Sequence, residues 1–90
     1  MKKREMALAM QRIVDEPGRT DMEKLAAAFG AVTEMFIANI GNELALARAL
    51  GDEETAVKEQ IKGSVMHAAR DLFAQCYVAV TGDRSEVWDE

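Results

Sequence analysis

Apolar residues recur through most of the chain at spacings of three and four residues, which is the period of an amphipathic α-helix. The first such run predicts a short helix over about residues 3–14. Its apolar face consists of Met6, Met10, Ile13 and Val14. Pro17 and Gly18 follow and predict a break, because proline lacks the amide donor that a helix interior requires and disfavours helical backbone in the residue before it.

A second and much longer helix is predicted over about residues 21–50. Thr20 and Glu23 form a capping-box pattern at its start, in which the threonine hydroxyl serves the amide of Glu23 and the carboxylate reaches back to the amide of Thr20. Apolar residues then recur at helical spacing, and no proline intervenes before Leu50. They are Met22, Leu25, Phe29, Val32, Phe36, Ile40 and Leu44.

The third predicted helix covers residues 53–81 and carries two apolar rows. Gly51 and Asp52 predict the end of one helix and the N-cap of the next, and Gly82 predicts the end of the third. The row that we call the main stripe consists of Val57, Ile61, Val65, Ala68, Leu72, Cys76 and Ala79. The second row, beside it, consists of Met66, Phe73, Tyr77 and Val80. We expect Cys76, which lies on the main stripe, to be a small core residue.

These elements predict an all-α fold in which a short N-terminal helix precedes a long antiparallel helical hairpin. The helices are assigned to a single domain over residues 1–82, followed by an acidic, flexible tail over residues 83–90. Both long helices carry more apolar surface than one neighbouring helix covers. We therefore expect homo-oligomerisation, as a dimer or higher, to complete a helical bundle. The residues expected at that interface are Phe29, Val32, Phe36, Ile40, Phe73 and Tyr77.

The composition of the chain narrows the classes of partner. Eleven Lys and Arg residues against sixteen Asp and Glu residues give a net charge of -5, which argues against direct binding of nucleic acid because phosphates repel an acidic surface. No apolar run reaches the roughly 18 residues of a membrane-spanning helix. Glu5 and Gln11 interrupt the apolar patch near the N-terminus, unlike a signal peptide. We predict a cytoplasmic protein that does not act at a membrane.

Residue types that carry chemistry are sparse. His67 has Ser64 three residues before it, where a di-iron helix motif has glutamate, so no metal site is predicted. Cys76 is the single cysteine and stands among apolar residues that would not activate its thiol. The chain has no glycine-rich phosphate loop, and no nucleophile, base and orienting group can be combined. We expect neither catalytic activity nor a bound cofactor.

Two sets of residues are candidates for binding. Unpaired amides at the start of the second helix, with basic side chains nearby, suit a phosphate or carboxylate group. The candidate anion-binding residues are Arg12, Arg19, Lys24 and Arg70. In the tail, Val87 and Trp88 stand among acidic residues. That pattern suits either recognition of a partner around an aromatic anchor or folding of Trp88 back onto the third helix.

The sequence favours a non-catalytic, homo-oligomeric interaction protein that binds and modulates another protein, as an adaptor or an inhibitor does. This hypothesis includes a phage-encoded inhibitor of a host protein. The alternative is a homo-oligomer that binds a small anionic ligand, such as a nucleotide, at an interface between subunits. The two hypotheses differ in whether the candidate basic residues converge after assembly.

Overall fold

The computed structural model describes residues 3–82, which form three α-helices and contain no strand. The helices are α1 (Lys3–Asp15), α2 (Asp21–Ala49) and α3 (Glu53–Thr81). The predicted all-α class is therefore confirmed for this part of the chain. The predicted tail of residues 83–90, with the candidate residues Val87 and Trp88, lies outside the described residues.

The start of α2 has the predicted capping box. The amide of Glu23 donates to Oγ1 of Thr20 over 3.2 Å, and the amide of Thr20 donates to Oε1 of Glu23 over 3.0 Å. The amide of Thr20, with its hydroxyl, holds the pKa of the Glu23 carboxyl below its ordinary value. The two bonds satisfy amides that the first turn of a helix leaves without a partner in the helix.

A short connection joins α2 to α3 and turns the chain back. Gly51 has a φ of +72°, a backbone conformation that residues with a Cβ rarely adopt. Asp52 then caps α3, because its Oδ1 accepts from the amide of Thr55 over 3.1 Å. Hydrogen bonding by the Thr55 side chain and by its amide lowers the pKa of Asp52. A connection of this length places α2 and α3 side by side and antiparallel.

The contact between α2 and α3 sets large side chains of α3 beside small residues of α2. Ala26 and Gly30 of α2 are buried. Phe29 lies between these two residues in the sequence. Its ring stacks on the ring of Phe73, with centroids 4.5 Å apart and planes 10° from parallel. Tyr77, which is buried, extends the stack, with its centroid 6.5 Å from that of Phe73. The aromatic contact lies at the end of the hairpin away from Gly51.

Ile40 makes the contact nearer the connection. Its side chain is buried and faces Gly63 of α3, where a Cβ would lie 3.7 Å from Cγ2 of Ile40. Together with the aromatic contact, this pair fixes how α2 and α3 are aligned along their length.

α1 lies against α2 and has no buried residue. Met6 and Ile13 are half-buried, whereas Met10 and Val14, which were predicted on the same apolar face, are exposed. Nζ of Lys24 donates to the carbonyl oxygen of Val14 over 2.7 Å. This bond joins the last turn of α1 to the first turn of α2.

Candidate functional site

The second row of α3 is the one that faces α2. Met66 and Phe73 are half-buried and Tyr77 is buried, while Val80 at the end of the row is exposed. Glu59 shares this side of α3 and is 7% exposed, and its Oε1 lies 3.0 Å from Nζ of Lys62. The inward face of α3 is therefore aromatic towards its C-terminal end and polar towards its N-terminal end.

The main stripe faces away from α2, and all seven of its members are exposed in the single chain. Its four large aliphatic residues have between 53% and 61% of their surface exposed. They are Val57, Ile61, Val65 and Leu72. The main stripe is therefore an outer surface of the single chain. The expectation that Cys76 is a core residue does not hold within the single chain, where its side chain is exposed.

The surface of α2 accounts for this orientation. Ala26 and Gly30 leave room for rings, and Phe29 offers a ring on which Phe73 stacks. Burying aromatic side chains removes more apolar area from water than burying valine or alanine does. The second row is therefore turned inward. Because the two rows lie on different sides of α3, the main stripe is left without a neighbouring helix.

The main stripe is continuous over almost the whole of α3. Its members are spaced by four, four and three residues, an eleven-residue repeat that relates Val57, Ala68 and Ala79. This repeat is close to the natural period of the α-helix, so the stripe stays on one face for roughly 35 Å. Glu53 and Lys58 lie on its two opposite edges near the start of α3.

The predicted oligomer-interface residues are placed mostly inside the hairpin. Phe29 and Phe73 stack on each other, and Ile40 and Tyr77 are each 8% exposed. The two others, Val32 and Phe36, are half-buried on α2. Their assignment to an interface between chains stays a prediction. The large apolar surface of α3 that α2 leaves uncovered is the main stripe. The spacing of its residues already predicted an apolar row there.

Arg70 reaches across the hairpin to α2. Its Nη1 donates to the carbonyl oxygen of Gly30 and to Oγ1 of Thr33, each over 3.2 Å. Thr33 is itself held in place, because its hydroxyl donates to the carbonyl oxygen of Phe29 over 2.7 Å. One guanidinium nitrogen of this candidate anion-binding residue is therefore directed at acceptors of its own chain.

The other candidate anion-binding residues lie near the junction of α1 and α2. Lys24 donates to the backbone of Val14, as described above. Nε of Arg19 lies 3.5 Å from Oε1 of Glu16. Arg12 is exposed in the last turn of α1. The structure therefore places these three residues at the junction and Arg70 within the contact between α2 and α3.

Replacing Arg70 tests its role. We expect Arg70→Met to lower the free energy of unfolding by about 1–2 kcal/mol, because the variant loses two hydrogen bonds from a charged donor in a partly buried position. Urea unfolding measures this loss, and Arg48→Met, at an exposed position of α2, is the control and is expected to change little. Unchanged stability of Arg70→Met, with loss of a phosphate-induced rise in melting temperature, would instead assign Arg70 to anion binding.

Residues that suit metal binding do not gather in the described part of the chain. His67 is exposed on α3. Within residues 3–82, no three side chains of His, Cys, Asp or Glu lie close enough together to hold a metal ion. None of the three helices is both long and apolar enough to cross a membrane.

Comparison with known proteins adds no relative. No protein-family model matches the chain, and neither the curated proteins nor the solved structures contain a match.

Proposed function

We propose that this protein is a non-catalytic, homo-oligomeric interaction protein that binds and modulates a protein partner. The exposed main stripe carries the proposal. Aliphatic side chains over almost the full length of α3 stay in contact with water in the single chain. The largest apolar patch on the surface of a protein is often a site of association with other proteins.

The shape of this surface supports a protein ligand. The outward face of a single helix is convex and long, whereas sites for small molecules are concave and enclose most of the ligand. A second helix laid along α3 would cover the stripe by the packing that joins helices in bundles. A helical protein surface is therefore the class of ligand that fits the stripe.

The acidic residues support a separate contact with a protein partner. The net charge of -5 would attract a positively charged surface of another protein and speed their association. Glu34 and Glu43 are exposed on α2, away from the main stripe. Binding through such charges weakens as salt is added. Partner capture that is unchanged at high salt would therefore contradict a role for the acidic surface.

The mass in solution tests self-association. We expect light scattering at micromolar concentration to give at least twice the mass of one chain, because water contact along the main stripe is unfavourable. Dilution should shift the average mass towards that of one chain. A mass of one chain at every concentration up to the solubility limit would overturn the homo-oligomeric part of the proposal.

A further inference from the structure

We infer that the main stripe of one chain packs against the main stripe of a second copy, with the two α3 helices parallel. This inference rests on the proposed function, since it requires self-association. It adds the surface, the occupant and the direction of the contact. The uncovered area of α3 and the distribution of charge along and across it support this contact.

The uncovered area suits a second copy of the same helix. Its four large aliphatic side chains are between 53% and 61% exposed: Val57, Ile61, Val65 and Leu72. Together they leave on the order of 400 Å² of apolar surface, within the roughly 300–600 Å² of the largest patch on a typical monomer, which is often functional. The stripe also includes small residues and has polar edges. With these included, the surface approaches the area that each partner contributes to a stable interface, which is about 800 Å².

The distribution of charge along α3 favours the parallel direction. Residues 72–82 contain no charged side chain, whereas residues 53–62 contain three carboxylates and two lysines. An antiparallel pair would place the charged end of each copy opposite the uncharged end of the other. Lys58 would then lie opposite residues 72–82, which carry no charge. A parallel pair instead brings the two uncharged ends together and the two charged ends together.

The charges across the stripe fit a parallel pair as well. At 3.6 residues per turn, Glu53 lies about 90° to one side of the centre of the stripe and Lys58 about 50° to the other side. In a parallel pair with twofold symmetry, opposite edges meet, so Glu53 of one copy faces Lys58 of the other. Such pairs at the edges of helix contacts set partner choice and direction. Lys58 also holds Glu54 of its own chain, with Nζ 3.3 Å from Oε1.

Cys76 reports the direction of the contact. In a parallel pair, each residue of the main stripe faces the same residue of the other copy, so a short bis-maleimide crosslinker should convert most of the oligomer to covalent dimer through Cys76. In an antiparallel pair centred on Ala68, the stripe residue nearest to Cys76 of the other copy is Ile61. Crosslinking would then require an Ile61→Cys variant. The control for random collision is Cys76→Ala/Ala45→Cys, which moves the thiol to the outward face of α2.

A charge exchange tests the edges of the stripe. Lys58→Glu should weaken the dimer by about tenfold, because it replaces two symmetry-related attractions with repulsions. Adding Glu53→Lys should restore the affinity to within about threefold, since the charges again oppose across the contact. Both variants lack the pair of Lys58 with Glu54, so the difference between them reports the contact between copies. Equal weakening in the two variants would overturn the parallel pairing.

The outcomes separate this inference from the proposed function. A dimer that crosslinks through Cys76 supports both. A dimer that crosslinks only in the Ile61→Cys variant, or in neither protein, overturns the parallel stripe contact and leaves self-association in place. A protein that has the mass of one chain overturns both.

Discussion

A chain carrying Ile61→Asp and Leu72→Asp is expected to be a folded monomer. Both side chains point away from α2 and are about 60% exposed in the single chain (60% and 61%), so carboxylates there stay in water and leave the hairpin intact. In the oligomer the same carboxylates would be buried without a partner, at about 3–5 kcal/mol each. The dissociation constant should therefore rise by about a thousandfold or more.

The control for this variant adds the same charge elsewhere. Ala38→Asp/Ala45→Asp places two aspartates on exposed positions of α2 and should keep the wild-type mass. Light scattering gives the masses, and circular dichroism checks that both variants keep their helices. If the Ile61→Asp/Leu72→Asp chain assembles as the wild type does, the main stripe is not the surface of self-association.

Phe73→Ala is expected to have the largest effect on the hairpin itself. The change removes the ring that stacks on Phe29 at 4.5 Å and contacts Tyr77. Deleting a phenylalanine ring from a core typically lowers the free energy of unfolding by about 3–5 kcal/mol. Because Phe73 is half-buried, we expect about 3 kcal/mol. The stability of small domains is typically about 5–15 kcal/mol, so this is a large share of it.

This effect is best measured without assembly, which would add to the apparent stability. Urea unfolding in the Ile61→Asp/Leu72→Asp background provides that condition. Val65→Ala, on the outward face of α3 at 59% exposure, is the control and should change the free energy of unfolding by less than about 0.5 kcal/mol. Similar losses for the two variants would mean that α3 is rotated about its axis relative to the orientation described.

The breaks between helices could be predicted from the sequence because the interactions that cause them join residues close together in the chain. The bond between Thr20 and Glu23 spans three residues, and the turn at Gly51 depends on the conformation of one residue. Asp52 reaches the amide of Thr55, again three residues away. Interactions this close in sequence leave a pattern that does not depend on the rest of the fold.

The orientation of α3 could not be read in the same way. Periodicity identifies both of its apolar rows but does not say which one meets α2. That choice depends on Phe29 and Phe73, and on the reach of Arg70 to Gly30, which are contacts between residues far apart in the chain. The sequence therefore identified the main stripe as an apolar surface but not that it faces away from α2.

The position of the aromatic contact bears on how the hairpin closes. Ile40 and Gly63 close a shorter loop around Gly51 than Phe29 and Phe73 do, and the entropy of closing a loop rises with its length. The hairpin can therefore close from the turn outwards, each contact shortening the loop that the next must close. The stacked rings lie at the end that closes last, where paired helices would otherwise fray, and they hold that end together.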